Sequence, residues 1–153
     1  MLDRIRGETD VERLVAQGLQ LGPRAFIGQG VFLDAGHPWL ISIGEDSMIT
    51  SGTVVLAHDA SAKLQTGFTK IGRVTIGKRV FIGAGAVILP GATIGDDSIV
   101  GALTVVRGDV PPGSVVIGNP ATIVSDVESF AEKHRVAAAQ AHVWPHAGWA
   151  SGQ

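Results

Sequence analysis

Residues 76–111, broken into sixes, read IGKRVF, IGAGAV, ILPGAT, IGDDSI, VGALTV and VRGDVP. Aliphatic residues open every block at Ile76, Ile82, Ile88, Ile94, Val100 and Val106. Glycine follows at Gly77, Gly83, Gly95 and Gly101, and small or β-branched residues (Val80, Ala86, Ala92, Ser98, Thr104) sit two places before the next aliphatic. Period six suits neither an amphipathic helix nor alternating hairpin strands. It fits a short strand and a tight turn, repeated so that one aliphatic per unit points into a common interior. Three such units close a triangular coil, and stacked coils share continuous aliphatic ladders. The glycines mark turns, where a side chain would clash or a positive φ is needed.

Outward from this stretch, the same phase recurs at Ile43, Ile49 and Val55, and in part at Ile27 and Leu33. Two breaks interrupt it. Val55 to Ile76 is a step of 21, three more than three hexads, so a segment at about 59–70 (DASAKLQTGFTK) leaves the coil. AGHPWL at 35–40 adds four residues between Leu33 and Ile43. Loops leaving a rigid scaffold are where binding and catalysis concentrate.

The ends read as helices. Thr9 with Glu12 before VERLVAQ, and Ser125 with Glu128 before SFAEKHRVAAAQA, match the capping box, with Gly18 and Pro145 as stops. These helices are expected to cover the open coil ends, which otherwise expose strand edges. The chain is therefore expected to be a single domain over 1–153, with a helical cap at 1–20, coils at 21–124 and a helix and tail at 125–153. The tail holds two of the three Trp residues and is expected to dock on a neighbour.

Composition agrees. The 153 residues include 21 Gly, about twice the usual ~7%, and only 17% are charged. Apolar residues make up 45%, enough for a packed core. Twelve Lys and Arg against 14 Asp and Glu give no basic balance for nucleic acid or anionic membrane. There is no apolar run long enough for a membrane span and no signal-like start in MLDRIRGETD, so a cytoplasmic protein is expected. Zero Cys excludes disulfides, cysteine catalysis and thiolate zinc sites.

The run IGKRVFIGAGAVILPGATIGDDSIVGALTVVRGDVPPGSVVIGNPA resembles the hexapeptide-repeat acyltransferases, and within them the sugar O-acetyltransferases of the galactoside, maltose and polysaccharide-modifying group. The likeness covers roughly 21–124. It implies an all-β solenoid, a left-handed parallel β-helix with short terminal helices, a known exception to right-handed crossovers. It also implies acetyl-coenzyme A as acyl donor, a homotrimer, and active sites between subunits. His58, in VVLAHDAS at a strand end where the inserted loop begins, matches the family's catalytic histidine. Histidine suits a base acting on a hydroxyl near neutral pH, allowing direct transfer without a covalent enzyme intermediate. The resemblance places the Ala84 amide at the thioester, Ala102 along the pantetheine arm and Phe81 at the acyl pocket or interface. Relatives commonly read VVTKDVPP where this chain reads VVRGDVPP, which leaves Arg107 to meet the coenzyme phosphate. Asp34 and His37 beside the first break are acceptor-binding candidates, with Asp34 equally readable as a turn residue. Trp39 is either a platform for a sugar ring or a loop anchor. Asp59 beside His58 would orient the base only if neighbours on a strand shared a face, which they do not.

Rival readings are N-acetylation of an amino sugar, a metal-dependent lyase like the γ-carbonic anhydrases, and a non-catalytic scaffold. A zinc lyase needs converging imidazoles. Only His37 and His58 lie within the coils, 21 positions apart, and Pro145 interrupts the His142/His146 pair, so no metal is expected.

Overall fold

The computed structural model describes residues 10–140. Numbered in chain order, β1 (Gln20–Leu21), β4 (Ile41–Ile43), β9 (Val74–Ile76), β12 (Thr93–Ile94) and β15 (Asp109–Val110) form a first parallel sheet. A second contains β2 (Phe26–Ile27), β5 (Met48–Ile49), β10 (Phe81–Ile82), β13 (Ile99–Val100) and β16 (Ser114–Ile117), also parallel. A third holds β3 (Phe32–Leu33), β6 (Val54–Val55), β11 (Val87–Ile88) and β14 (Val105–Val106). The chain visits the sheets in rotation, one strand in each, and returns to the first every third strand of the three sheets.

Register stacks like on like. Ile27 sits beside Ile49, Ile82 and Val100 in turn, and Ile43 beside Ile76, Ile94 and Val110. The repeat aliphatics from Ile76 to Val106 are at most 1% exposed, as are the small residues Val80, Ala86, Ala92, Ser98 and Thr104 that fill the corners between sheets. Buried hydroxyls are bonded. Thr53 Oγ1 donates to the Thr50 carbonyl at 2.8 Å, and Ser47 Oγ to the Gly77 carbonyl at 2.7 Å.

Where a glycine follows the aliphatic, the reason is spacing between circuits. A Cβ on Gly44 would lie 2.4 Å from the Gly77 carbonyl oxygen, and one on Gly83 2.4 Å from the Ala102 nitrogen. Positive φ occurs at other turn positions, and on one edge it is carried by charged residues. Arg24, Asp46, Arg79 and Asp97 have φ between 52° and 59° and stack as two ion-paired forks, Arg24–Asp46 and Arg79–Asp97.

The ends differ in detail from the sequence expectation. Helix α1 (Val11–Ala16) is capped by Asp10, whose Oδ1 accepts from the Arg13 N–H at 3.1 Å; Thr9 lies outside the described residues. Leu14 and Leu19 close the core beneath it. At the other end, β17 (Thr122–Asp126) pairs antiparallel with β16, so a strand, not only a helix, covers that edge. The following helix α3 (Val127–Gln140) is capped by Asp126 through the Ser129 N–H and hydroxyl, both at 2.8 Å, in place of Ser125. Asp126 wins because its carboxylate accepts two hydrogen bonds. The Trp-bearing tail at 141–153 lies outside the described residues. No helix among the described residues is long and apolar enough to cross a membrane.

Candidate active site

Both breaks in the period open on the edge where the chain passes from the third sheet to the first. The longer one is a hairpin. β7 (His58–Asp59) pairs antiparallel with β8 (Lys70–Ile71) around a short helix α2 (Lys63–Thr66). The shorter one is a 3-10 turn over Pro38–Leu40.

Stacking of β3 on β6 brings Asp34 under His58. The Asp34 N–H donates to the Val55 carbonyl at 3.0 Å, which carries the aspartate side chain to the start of the hairpin. Asp34 is 2% exposed. Its Oδ2 accepts from His58 Nδ1 at 2.5 Å and from the Ala57 N–H at 3.0 Å, and its Oδ1 from the Gly36 N–H at 3.1 Å. Burial pushes this carboxyl up, but the His58 hydrogen bond and the Ala57 and Gly36 amides outweigh it and hold it below the usual carboxylate range. A carboxylate only accepts, so the proton of the short contact belongs to Nδ1, and the lone pair of the neutral ring is at Nε2. The His58 side chain is 38% exposed and lines a cleft.

Asp34 was expected at the acceptor. Its oxygens instead face His58 and two backbone amides, beneath the site. Asp59 makes no hydrogen bond to His58: its Oδ1 accepts from the Ser61 N–H at 2.8 Å, and the residue lines the same cleft as His58. His37 stands beside His58, ring centroids 5.2 Å apart, and Trp39, half exposed, lies 5.5 Å from His37. One ligand atom from each of Asp34, His37 and His58 lies within 4.8 Å of the other two. Arg107 and Lys70 line a cleft of about 310 Å³ with His58.

Ala84, Ala102 and Phe81 are elsewhere. Ala84 and Ala102 are exposed in turns from the second sheet to the third, a different edge from His58. Neither N–H donates to another described residue. Phe81 is 40% exposed on the outside of the second sheet. A single chain thus carries the imidazole on one edge and the open amides on another. Sequence reading missed the Asp34–His58 pairing, whose one signal was that both residues sit at breaks in the period.

Residues 73–108 match the family described as bacterial transferase hexapeptide, six repeats. The chain is 37% identical over 110 residues to a serine acetyltransferase of Helicobacter pylori, an alignment covering 71% of this chain and 63% of that protein. A maltose O-acetyltransferase of Clostridium difficile superposes with a TM-score of 0.61 at 25% identity, covering 82% of this chain and 79% of the other. A hexapeptide-repeat acetyltransferase of Vibrio cholerae complexed with acetyl coenzyme A gives 0.60 at 27% identity, covering 78% of each chain. The chain spans less than two thirds of the length of the first curated relatives it matches, 64% and 63%. The repeat segment at 73–108, set in three parallel sheets with its period kept without a slip, is the part of the chain that matches the bacterial transferase hexapeptide family.

Proposed function

We propose that this protein is an acetyl-coenzyme A-dependent O-acetyltransferase acting on a sugar or saccharide hydroxyl, with its coils wound as a left-handed parallel β-helix. The observation that carries the reading is the buried Asp34 carboxylate on His58 Nδ1 at 2.5 Å, at the edge where the period breaks. Asp34 holds the tautomer and ring orientation; His58 Nε2 takes the proton of the acceptor hydroxyl. The freed oxygen attacks the thioester carbonyl carbon, and the tetrahedral oxyanion is met by backbone N–H groups, for which Ala84 is the candidate. Collapse expels the coenzyme thiolate, which takes back the proton from the His58 imidazolium. The products are an acetyl ester and free coenzyme A. Ala102 lies along the pantetheine arm and Phe81 near the acyl group, while Arg107 offers a guanidinium to a coenzyme phosphate.

Because His58 and Ala84 sit on different edges of one chain, the complete site needs a second copy, and a homotrimer is proposed. The outward faces of the sheets support this. The first sheet presents Gln20, Ser42, Thr75, Thr93 and Asp109. The second presents Phe26, Met48, Phe81 and Ile99, and the third Phe32, Val54, Val87 and Val105. Two faces are apolar and one polar, the pattern of a surface that covers itself on association.

The maltose O-acetyltransferase neighbour and the half-exposed Trp39 indole near His37 support a saccharide acceptor, since a sugar ring stacks on an indole face. The serine acetyltransferase relative puts L-serine in the same assay. The test is release of coenzyme A thiol from acetyl-coenzyme A with a panel of mono- and oligosaccharides, amino sugars and L-serine. Acceptor-dependent release with a saccharide upholds the reading. Coenzyme binding without release for any acceptor refutes it, and absence of coenzyme binding would favour a scaffold.

A further inference from the structure

We infer that Asp34, His37 and His58 form a site for a borderline transition-metal cation of the zinc class, and that its occupancy silences the transfer. The silencing half rests on His58 being the base; the binding half does not.

Two independent observations meet here. The first is the convergence already described, with three ligand atoms from three side chains mutually within 4.8 Å. The second is an unused nitrogen. His37 Nδ1 is buried and has no hydrogen-bond partner among the described residues, and it lies 3.8 Å from Asp34 Oδ1, too far for a hydrogen bond. Buried imidazole nitrogens are ordinarily satisfied. An imidazole nitrogen with no hydrogen-bond partner, beside a carboxylate and a second imidazole, can serve as a metal ligand in its unprotonated tautomer.

The donor set names the class. Two imidazoles and one carboxylate suit Zn²⁺, Co²⁺ or Ni²⁺, whereas Mg²⁺ and Ca²⁺ prefer oxygen alone. Tetrahedral ligands at 2.0–2.2 Å from zinc lie about 3.4 Å apart. The Asp34–His58 contact must therefore open from 2.5 Å while His37 draws in. A cation on Nδ1 takes the lone pair of the other neutral tautomer, so the ring proton moves from Nδ1 to Nε2. His37 can follow because it sits in the 35–40 break, outside the stacked strands, and its Nδ1 gives up no existing hydrogen bond. With Nδ1 on the metal and the ring proton on Nε2, His58 has no lone pair for the acceptor's proton and no longer cycles a proton between acceptor and thiolate.

Co²⁺ titration of the full chain, stripped with chelator, tests this through the visible absorption of a low-coordinate Co²⁺ centre. One Co²⁺ per chain is expected, displaced by Zn²⁺ and not by Mg²⁺. His37→Ala and His37→Gln should each weaken binding at least tenfold, with circular dichroism showing both folded. Replacing His142 and His146 together should leave binding unchanged. Absence of a one-to-one complex, or His37 variants that bind as the parent does, overturns the site. Zinc should also suppress acetyl transfer in proportion to occupancy; full activity at full occupancy overturns the silencing. A metal-free chain that transfers to no acceptor, yet binds Co²⁺ through His37, would strike the functional reading and uphold the metal site.

Discussion

Replacing Asp34 by Ala separates what this carboxylate does for the fold from what it does for chemistry. In the fold, it satisfies the N–H of Ala57, a residue with 0% exposure and no route to water. Leaving that donor unpaired costs about 1–3 kcal/mol. The Gly36 amide, in a part-exposed turn, can turn to solvent instead. The sign with pH follows from the direction of the shift. Asp34 titrates below its ordinary value in the native state, so its contribution is fully present above the unfolded value of about 3.9 and is lost as pH falls through the lower native one. Parent and variant should therefore differ most in urea midpoint near pH 7 and converge under acid. In the chemistry, His58 loses the acceptor that fixes its proton on Nδ1. Both tautomers and other ring orientations then compete, and kcat should fall by about 10²–10⁴-fold, the range of a general base. Because the two residues act as one unit, adding Asp34→Ala to His58→Ala should cost little more than His58→Ala alone. Thiol release from acetyl-coenzyme A, with the acceptor found in the panel, reads all three variants. An Asp34→Ala protein within threefold of the parent kcat, or fully additive losses in the double variant, refutes the dyad.

Three other perturbations reach other parts of the account. Ile94→Ala removes a 0%-exposed side chain stacked between Ile76 and Val110, and should cost about 2–5 kcal/mol in chemical unfolding; a loss under 1 kcal/mol would mean the ladder is not the core. Met48→Asp places a charge between Phe26 and Phe81 on the apolar second face, and should shift the mass by light scattering toward the monomer while circular dichroism stays native; an unchanged oligomer would place the interface elsewhere. Arg107→Ala should raise KM for acetyl-coenzyme A by roughly tenfold with a smaller change in kcat, since one charge-assisted contact to phosphate is worth about 1.5–3 kcal/mol; an unchanged KM would leave Arg107 as a solvated wall of the cleft.

The coils were legible in the sequence because each strand-and-turn unit repeats a local demand. An aliphatic every six residues, a small residue two before it and a glycine after it are each fixed by contacts with the next circuit. The buried ladder from Ile76 to Val106 follows that rhythm position by position. Features made by stacking across a break were hidden. Asp34 and His58 are 24 residues apart, and the four-residue departure at 35–40, which lies between them, destroys the register that would have paired them. For the same reason His37 read as distant from His58, while the rings stand 5.2 Å apart. The charged edge escaped notice for another reason. Arg24, Asp46, Arg79 and Asp97 occupy left-handed turn positions where glycine is the expectation, and their reward is the ion-paired stacking along the edge. The cap of α3 was misplaced by one residue because Ser125 and Asp126 both carry cap-forming side chains, and the folded backbone decides which accepts from Ser129.

The central claim is that His58 is the base that moves a hydroxyl proton during acetyl transfer. It is tested most directly by His58→Ala, assayed for acceptor-dependent thiol release beside coenzyme A binding and oligomeric mass. The account predicts a folded protein with unchanged mass and coenzyme affinity, and a kcat reduced by about 10²-fold or more. Full transfer activity in that intact, coenzyme-binding variant would contradict it.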